Sequence, residues 1–227
     1  MLYSVFMKFA AVKPNSLAGK AQVVRGVIHG LLHGRWTGGE RLTEQSVAGL
    51  FEVSRTPVRE AFLELEALGM LQLKRNCGAV LGAFGARQLA ELYSVRMLLE
   101  LEAVRLAASR MDGEIICRLV HKFEGLQSSG ADDKDWALDQ ALHFEIAAAS
   151  DNLRLRDEIS RYGNLVQTVR EVVGRRFCSV HSTSLAEHVD ILHRLQSKDE
   201  AGAVASMRRH LEMAMSSALE ALSELQA

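Results

Sequence analysis

Cysteine and proline are scarce in this chain. Its three cysteines, Cys77, Cys117 and Cys178, are odd in number and have no paired spacing. That excludes a disulfide framework and suits a reducing compartment. Only two prolines occur among 227 residues, with an apolar content of 48%, as expected of a soluble and mostly helical protein. No apolar run approaches the roughly 20 residues that a membrane-spanning helix needs. Met1 to Val12 is rich in apolar residues, but Lys8 interrupts it and no small-residue cleavage pattern follows. It reads as a loose arm and not a secretory signal, so a cytoplasmic location is expected. There is no internal repeat and no low-complexity segment. Net charge is also nearly absent, at −1, but the two parts of the chain differ. Residues 1–83 hold ten Lys/Arg against six Asp/Glu, a surplus of four positive charges, and residues 84–227 hold 17 against 22, a deficit of five. Two modest domains fit the length, with the basic share on the first.

What is present is organised around Val53–Met70, VSRTPVREAFLELEALGM. Ser54 is a suitable helix N-cap, and Pro57 falls in the first turn, where a missing N–H does little harm. Val58, Phe62, Leu65 and Leu68 recur at helical spacing as one apolar stripe. Arg55, Thr56 and Arg59 lie off that stripe at the helix start. Two guanidinium groups four residues apart share a face at the positive end of the helix dipole. This arrangement suits a helix whose N-terminal end enters a DNA major groove. Upstream, Ser16 to Leu32 reads as a helix with Val23, Val27 and Leu31 on one stripe, and Gly34 to Gly39 as a loop. Leu42 to Phe51 reads as a short helix capped by Thr43, with Leu42, Val47 and Leu50 buried. Downstream, Gly69 ends the central helix. Leu71 and Leu73 alternate with Gln72 and Lys74 as a strand would, and Ala79 to Leu81 returns as a second strand after a basic turn.

These residues carry a specific resemblance. GERLTEQSVAGLFEVSRTPVREAFLELEALGML followed by GAV resembles the winged helix-turn-helix domain of the GntR family of bacterial transcription regulators, over about residues 16–83. The resemblance implies that Ser54, Arg55, Thr56 and Arg59 meet operator DNA. It also implies that Gln45 lies on the preceding helix where some relatives carry Arg, and that the wing near Arg75 and Gly78 touches the minor groove or backbone. Glu52 departs from the pattern, standing where the family turn usually has Gly.

From residue 84 onward the chain reads as helices only, over 86–110, 112–128, 133–150, 152–174, 182–197 and 199–225. Asp112, Asp133, Asp151 and Asp199 are candidate caps, and Asn152 reads as a cap rather than a ligand contact. Six helices with short connections imply an antiparallel bundle. The expected fold is therefore mainly α. It comprises a loose arm over 1–15, a winged helix-turn-helix over 16–83 with a small hairpin wing, and an all-helical effector-binding and dimerisation domain over 84–227.

Four residues of the second domain converge on paper. Asp139 and His143 are one helical turn apart in ALDQALHFEIAAAS, and His188 and His210 each lie on the inward stripe of their helix. His188 precedes Lys198 by ten residues and His210 follows it by twelve. At a 1.5 Å rise per residue both lie about 15–18 Å from the intervening turn, so they face each other across a helical hairpin. Three imidazoles and a carboxylate suit Zn²⁺, Ni²⁺ or Mn²⁺, with coordination positions left for a small carboxylate. His29 and His33 share i,i+4 spacing but have no third ligand and read as surface residues. Arg96 admits two readings: reaching inward to an effector carboxylate, or pairing with Glu100 one turn on.

Here too there is a resemblance. YSVRMLLELEAVRLAA, the D-x-x-x-H-F run followed by SDN, EHVDILHRLQSKD and A-x-x-x-MRRHL are similar to the FCD effector domain of the FadR subfamily, over about 86–217. Six helices suggest the shorter, VanR-like branch. The resemblance implies metal ligation by Asp139, His143, His188 and His210, while His181 and His193 fall outside its pattern. The expected function is a homodimeric, ligand-responsive regulator on double-stranded operator DNA, not an enzyme. The family's commoner mode, repression relieved by ligand, makes a repressor the expectation. Two alternatives are a regulator that senses the metal ion itself and, further off, a metal-dependent hydrolase. For the hydrolase, no glutamate base is placed beside the ligands as a zincin motif would place it.

Overall fold

The computed structural model describes residues 16–75, 77–129, 136–173 and 181–226. The expected arm over residues 1–15, the candidate cap Asp133 and Cys178 lie outside the described residues. The chain divides after Gly85 into two compact units.

The first unit runs α1 (Ser16–Leu32), β1 (Arg41–Leu42), α2 (Glu44–Phe51), α3 (Arg55–Ala67), β2 (Leu71–Lys74) and β3 (Gly78–Leu81). The stripe of Val23, Val27 and Leu31 is buried, joined by Val24, Ile28 and Leu32. It packs on α3, which buries Val58, Ala61, Phe62 and Leu65, while Leu68 stays half-buried. Helix α2 starts two residues later than the sequence suggests. The Thr43 hydroxyl accepts from Ser46 N at 3.0 Å, and Ser46 Oγ accepts from Thr43 N at 3.2 Å, closing a capping box. Thr43 is extended, so the chain before it leaves the helix and Leu42 becomes a strand residue opposite Ala79. Phe51, not Leu50, is the second buried residue of α2. Ser54 occupies the N-cap position of α3 but its hydroxyl makes no capping bond, contrary to expectation, and it remains exposed.

The wing is one strand larger than a hairpin. Its antiparallel order is β1-β3-β2, with Arg41 opposite Val80 and Lys74 opposite Gly78. Gly78 has φ 81°, and a Cβ there would sit 2.2 Å from the Leu42 carbonyl oxygen. Only glycine lets β1 approach so closely. The turn between α2 and α3 passes through Glu52 in the left-handed region, at φ 54° and ψ 39°. This is why glycine would be at home there.

The second unit comprises six described helices: α4 (Ala86–Ala107), α5 (Gly113–Ser129), α6 (Ala137–Ala149), α7 (Leu153–Val173), α8 (His181–Gln196) and α9 (Glu200–Gln226). Helix α4 packs against α6, α7 and α9, and α8 against α5 and α9. Leu119, Phe123, Leu142, Ile146, Ile191, Leu192, Met207 and Leu211 form their shared core. Asp112 accepts from Glu114 N at 2.7 Å and Asp199 from Gly202 N at 3.0 Å, each as a cap. Asp151 does not cap α7. It is left-handed at φ 57°, and Asn152 Oδ1 takes the Leu155 N–H at 3.1 Å in its place. Among the described residues no helix is long and apolar enough to cross a membrane.

Candidate nucleic-acid interface and metal centre

The start of α3 presents Ser54, Arg55, Thr56 and Arg59 as exposed residues, with Gln45 exposed on α2 and Arg75 exposed in the wing turn. Gly78 is half-buried beside that turn. Burial of Val58, Phe62 and Leu65 on the opposite side of α3 fixes which face is left to solvent. The sequence does not announce what joins the two arginines. Arg59 Nε donates to both oxygens of Glu44 at 2.8 Å, and Arg55 reaches the same carboxylate with Nε at 3.2 Å and Nη2 at 3.1 Å. Arg59 hydrogen-bonding holds the Glu44 carboxyl below its ordinary value and outweighs slight burial.

In the second unit the four expected ligands meet. One ligand atom from each of Asp139, His143, His188 and His210 lies within 4.8 Å of the others, and all four residues are buried. Helix α6 supplies Asp139 and His143 one turn apart, and α8 and α9 supply the other two. His188 Nε2 and His210 Nε2 are 3.2 Å apart, consistent with their similar distances from the α8–α9 turn. Asp139 Oδ1 lies 3.2 Å from His188 Nε2 and 3.9 Å from His143 Nε2. Asp139 Oδ1 and His143 Nε2 are both buried and accept no hydrogen bond among the described residues. Orphaned acceptors facing one point are costly without a cation between them.

A surrounding layer of charged residues aims these ligands, and most of it is not evident from the sequence. His143 Nδ1 bonds to Glu100, which also takes Arg96 Nε. His210 Nδ1 lies 2.9 Å from Glu187 Oε2. Carboxylates on the outer ring nitrogen are the usual means of turning the inner nitrogen toward a metal. His188 departs from this rule. Its Nδ1 has no partner among the described residues, and its ring packs instead on Phe123 at 4.9 Å. Arg170 Nη1 donates to Asp139 Oδ2 at 2.9 Å, leaving Oδ1 for the cluster, and its guanidinium stacks on Trp136 at 4.4 Å.

The electrostatics suit a cation. Burial, and then the neighbouring imidazole of His210, pushes His188 down to about 4. Burial, and then His143, pushes His210 down to about 3. Both rings are therefore neutral near pH 7, as ligation requires. Burial pushes the Asp139 carboxyl up, but Arg170 with His188 and His143 outweighs it and holds the group well below its usual range. Glu100 is likewise raised by burial but brought to about 2 by Arg96 and His143.

A cavity of about 300 Å³ opens beside the cluster, between α6 and α7. Asp139, His143, Arg96 and Arg170 line it together with amides from Gln140 and Asn164. The Arg96–Glu100 pairing that the sequence suggests is formed, and the side chain also points inward. Arg96 is paired with Glu100 through Nε, yet it lines the cavity and its buried Nη1 has no partner among the described residues.

Comparison with known proteins matches both units. Residues 20–81 match the family described as bacterial regulatory proteins, gntR family, and residues 91–213 match the FCD domain. The Nta operon transcriptional regulator of Aminobacter aminovorans is 28% identical over 82% of this chain and 90% of its own. The HTH-type transcriptional repressor RspR of Escherichia coli strain K12 is 27% identical over 84% of this chain and 85% of its own. Among solved structures, the metal-free FCD domain of TM0439 superposes with a TM-score of 0.55 at 19% identity, over 63% of this chain and 99% of that one. At that identity the likeness speaks for the fold alone.

Proposed function

The chain belongs to the gntR family of bacterial regulatory proteins, in the FadR-like form that carries an FCD domain. From that premise we propose a homodimeric repressor whose FCD domain holds a divalent metal ion and takes a small organic acid as effector. The family and its named relatives are transcriptional regulators, which sets the hydrolase alternative aside.

The observation that carries the sensor reading is the buried quartet of Asp139, His143, His188 and His210 beside a cavity that Arg96 lines. The four would hold Zn²⁺ or Ni²⁺, with Mn²⁺ also suited to the mixed N/O set. Bound there, the ion would act as a Lewis acid toward an oxygen ligand. The charges favour an anion in the cavity. Arg96 cancels Glu100 and Arg170 cancels Asp139, so even with the Glu187 carboxylate beside His210 a divalent ion with neutral imidazoles leaves a net positive charge in a low-dielectric site. A carboxylate would neutralise part of that excess and could accept from Arg96 Nη1, which has no partner among the described residues. A cavity of about 300 Å³ with an arginine on its wall favours such an effector over the ion as sole signal.

On the DNA side, Arg55, Thr56 and Arg59 would read base edges, with Ser54 and Gln45 beside them and Arg75 and the Gly78 backbone at the flank. Support comes from their shared exposure at the tip of α3. Val95 and Leu98, one turn apart on α4, are 40% and 73% exposed and favour a second copy as their cover. A regulator that binds operator DNA would act in the cytoplasm. Repression accords with the name of the RspR relative.

A thermal-shift screen of small carboxylates on the full chain, with and without a chelator, tests this. The metal-loaded protein should gain about 2.7 kcal/mol at an acid concentration 100 times its dissociation constant. The gain should vanish on chelation, and the same acid should release the protein from DNA. No response by the metal-loaded protein to any acid would overturn the effector assignment.

A further inference from the structure

We infer that Glu44 is a positioning residue for DNA reading, whose carboxylate presets Arg55 and Arg59 as one unit. The inference rests on the assignment of those arginines to base contacts and deepens it. Glu44 opens α2 and is held there by the Thr43–Ser46 capping box, which fixes the backbone that carries the carboxylate. Arg55 and Arg59 open α3 one turn apart. A single carboxylate thus ties the start of the supporting helix to the tip of the reading helix.

The edge used in each contact decides the consequence. Arg59 gives Glu44 its Nε–H, toward both oxygens at 2.8 Å. Its two terminal nitrogens stay available, and these can reach guanine O6 and N7 together. Arg55 spends Nε and Nη2 on Glu44 and keeps Nη1. The arginine side chains are 62% and 61% exposed while Glu44 is only 24% exposed, so the brace sits behind and the free donors in front. An arginine braced this way has already lost rotamer freedom that binding would otherwise remove. The carboxylate also repels phosphates, which weakens binding to DNA of any sequence. Both effects act in one direction, raising discrimination at the expense of general affinity. A role confined to stability predicts otherwise, because exposed ion pairs contribute little to folding.

The test uses the full chain and the duplex it selects from a random pool. Binding of wild type, Glu44→Gln and Glu44→Ala to that duplex and to a scrambled one is measured by fluorescence anisotropy across a salt series. Both variants should bind scrambled DNA several-fold more tightly, and their selected-to-scrambled affinity ratio should fall by about tenfold or more, the worth of one bidentate base contact. Glu44→Gln keeps the size and the capping box, so its melting temperature should stay at the wild-type value. An unchanged ratio in either folded variant overturns the inference, as does an equal loss of affinity for both duplexes. If the wild type selects no sequence at all, the assignment of α3 to base reading fails first and this inference with it.

Discussion

Arg59 and Arg96 perform the same local chemistry in opposite surroundings. Each gives its Nε–H to a glutamate, Glu44 in one case and Glu100 in the other. Arg59 has 61% of its side chain in solvent, whereas Arg96 and Glu100 have 2% each. In water such a pair contributes about 0–1 kcal/mol and can be exchanged for another partner. In the interior, neither member can be released without stranding a desolvated charge. The exposed tip of α3 is thus held by a contact that costs little to lose, and the buried cluster by contacts that cannot be broken singly. Equivalent truncations on the two sides should separate sharply. Glu100→Ala leaves Arg96 and the outer nitrogen of His143 without their partner and should destabilise the protein by about 3–5 kcal/mol. Arg59→Ala should leave stability close to the wild-type value. Denaturant midpoints of the two full-length variants check this, and a Glu100→Ala midpoint equal to that of Arg59→Ala would erase the contrast.

The same contrast explains what could be read in the sequence. The quartet of Asp139, His143, His188 and His210 was legible because helical rise fixes heights on a hairpin, and its atoms do lie together. The solvent-facing side of α3 was legible because Val58, Phe62 and Leu65 mark the inward side by their spacing. Glu100 was not singled out as a support for His143. An Arg-x-x-x-Glu pair looks alike on a surface or in a core, and only its packing against α6 buries it. Arg170 and Glu187 are hidden for the same reason, since each acts on a residue at least 23 positions away. Strand β1, two residues long, is too short to show alternation and exists because Gly78 leaves room for it. Asp151 illustrates a local ambiguity. Of two adjacent capping candidates, the one forced left-handed cannot cap.

Acid should sharpen the comparison in the metal-free protein. His188 and His210 titrate near 4 and 3 when folded, against an ordinary 6.5. Between those values the unfolded chain binds more protons than the folded one, so stability falls as pH drops below about 6.5. The slope approaches 1.4 kcal/mol per pH unit for each ring. Asp139 and Glu100 add loss in the same direction at lower pH, because their folded values are depressed. Glu187, raised by burial, opposes them weakly. Melting temperatures of the chelated full chain should be level from pH 8 to 7 and decline from 6.5 to 4. A level profile down to pH 5 would mean that these rings are not buried as neutral groups. Bound metal competes with protons for the same nitrogens, so loading should move the decline to lower pH.

The smallest effect lies in the turns, where the two units use the same device. Glu52 follows α2 at φ 54° and Lys198 follows α8 at φ 56°, both in the left-handed region and both exposed. A side chain with a Cβ is strained there by about 1 kcal/mol, and glycine is not. Glycine also makes the unfolded chain more disordered, which offsets part of the gain. Glu52→Gly and Lys198→Gly should each stabilise the protein by about 0.5–1 kcal/mol in denaturant melts. Neither side chain forms an ion pair among the described residues that its loss would break. A gain at Lys198 without one at Glu52 would mean that the turn before the reading helix is held by more than its backbone.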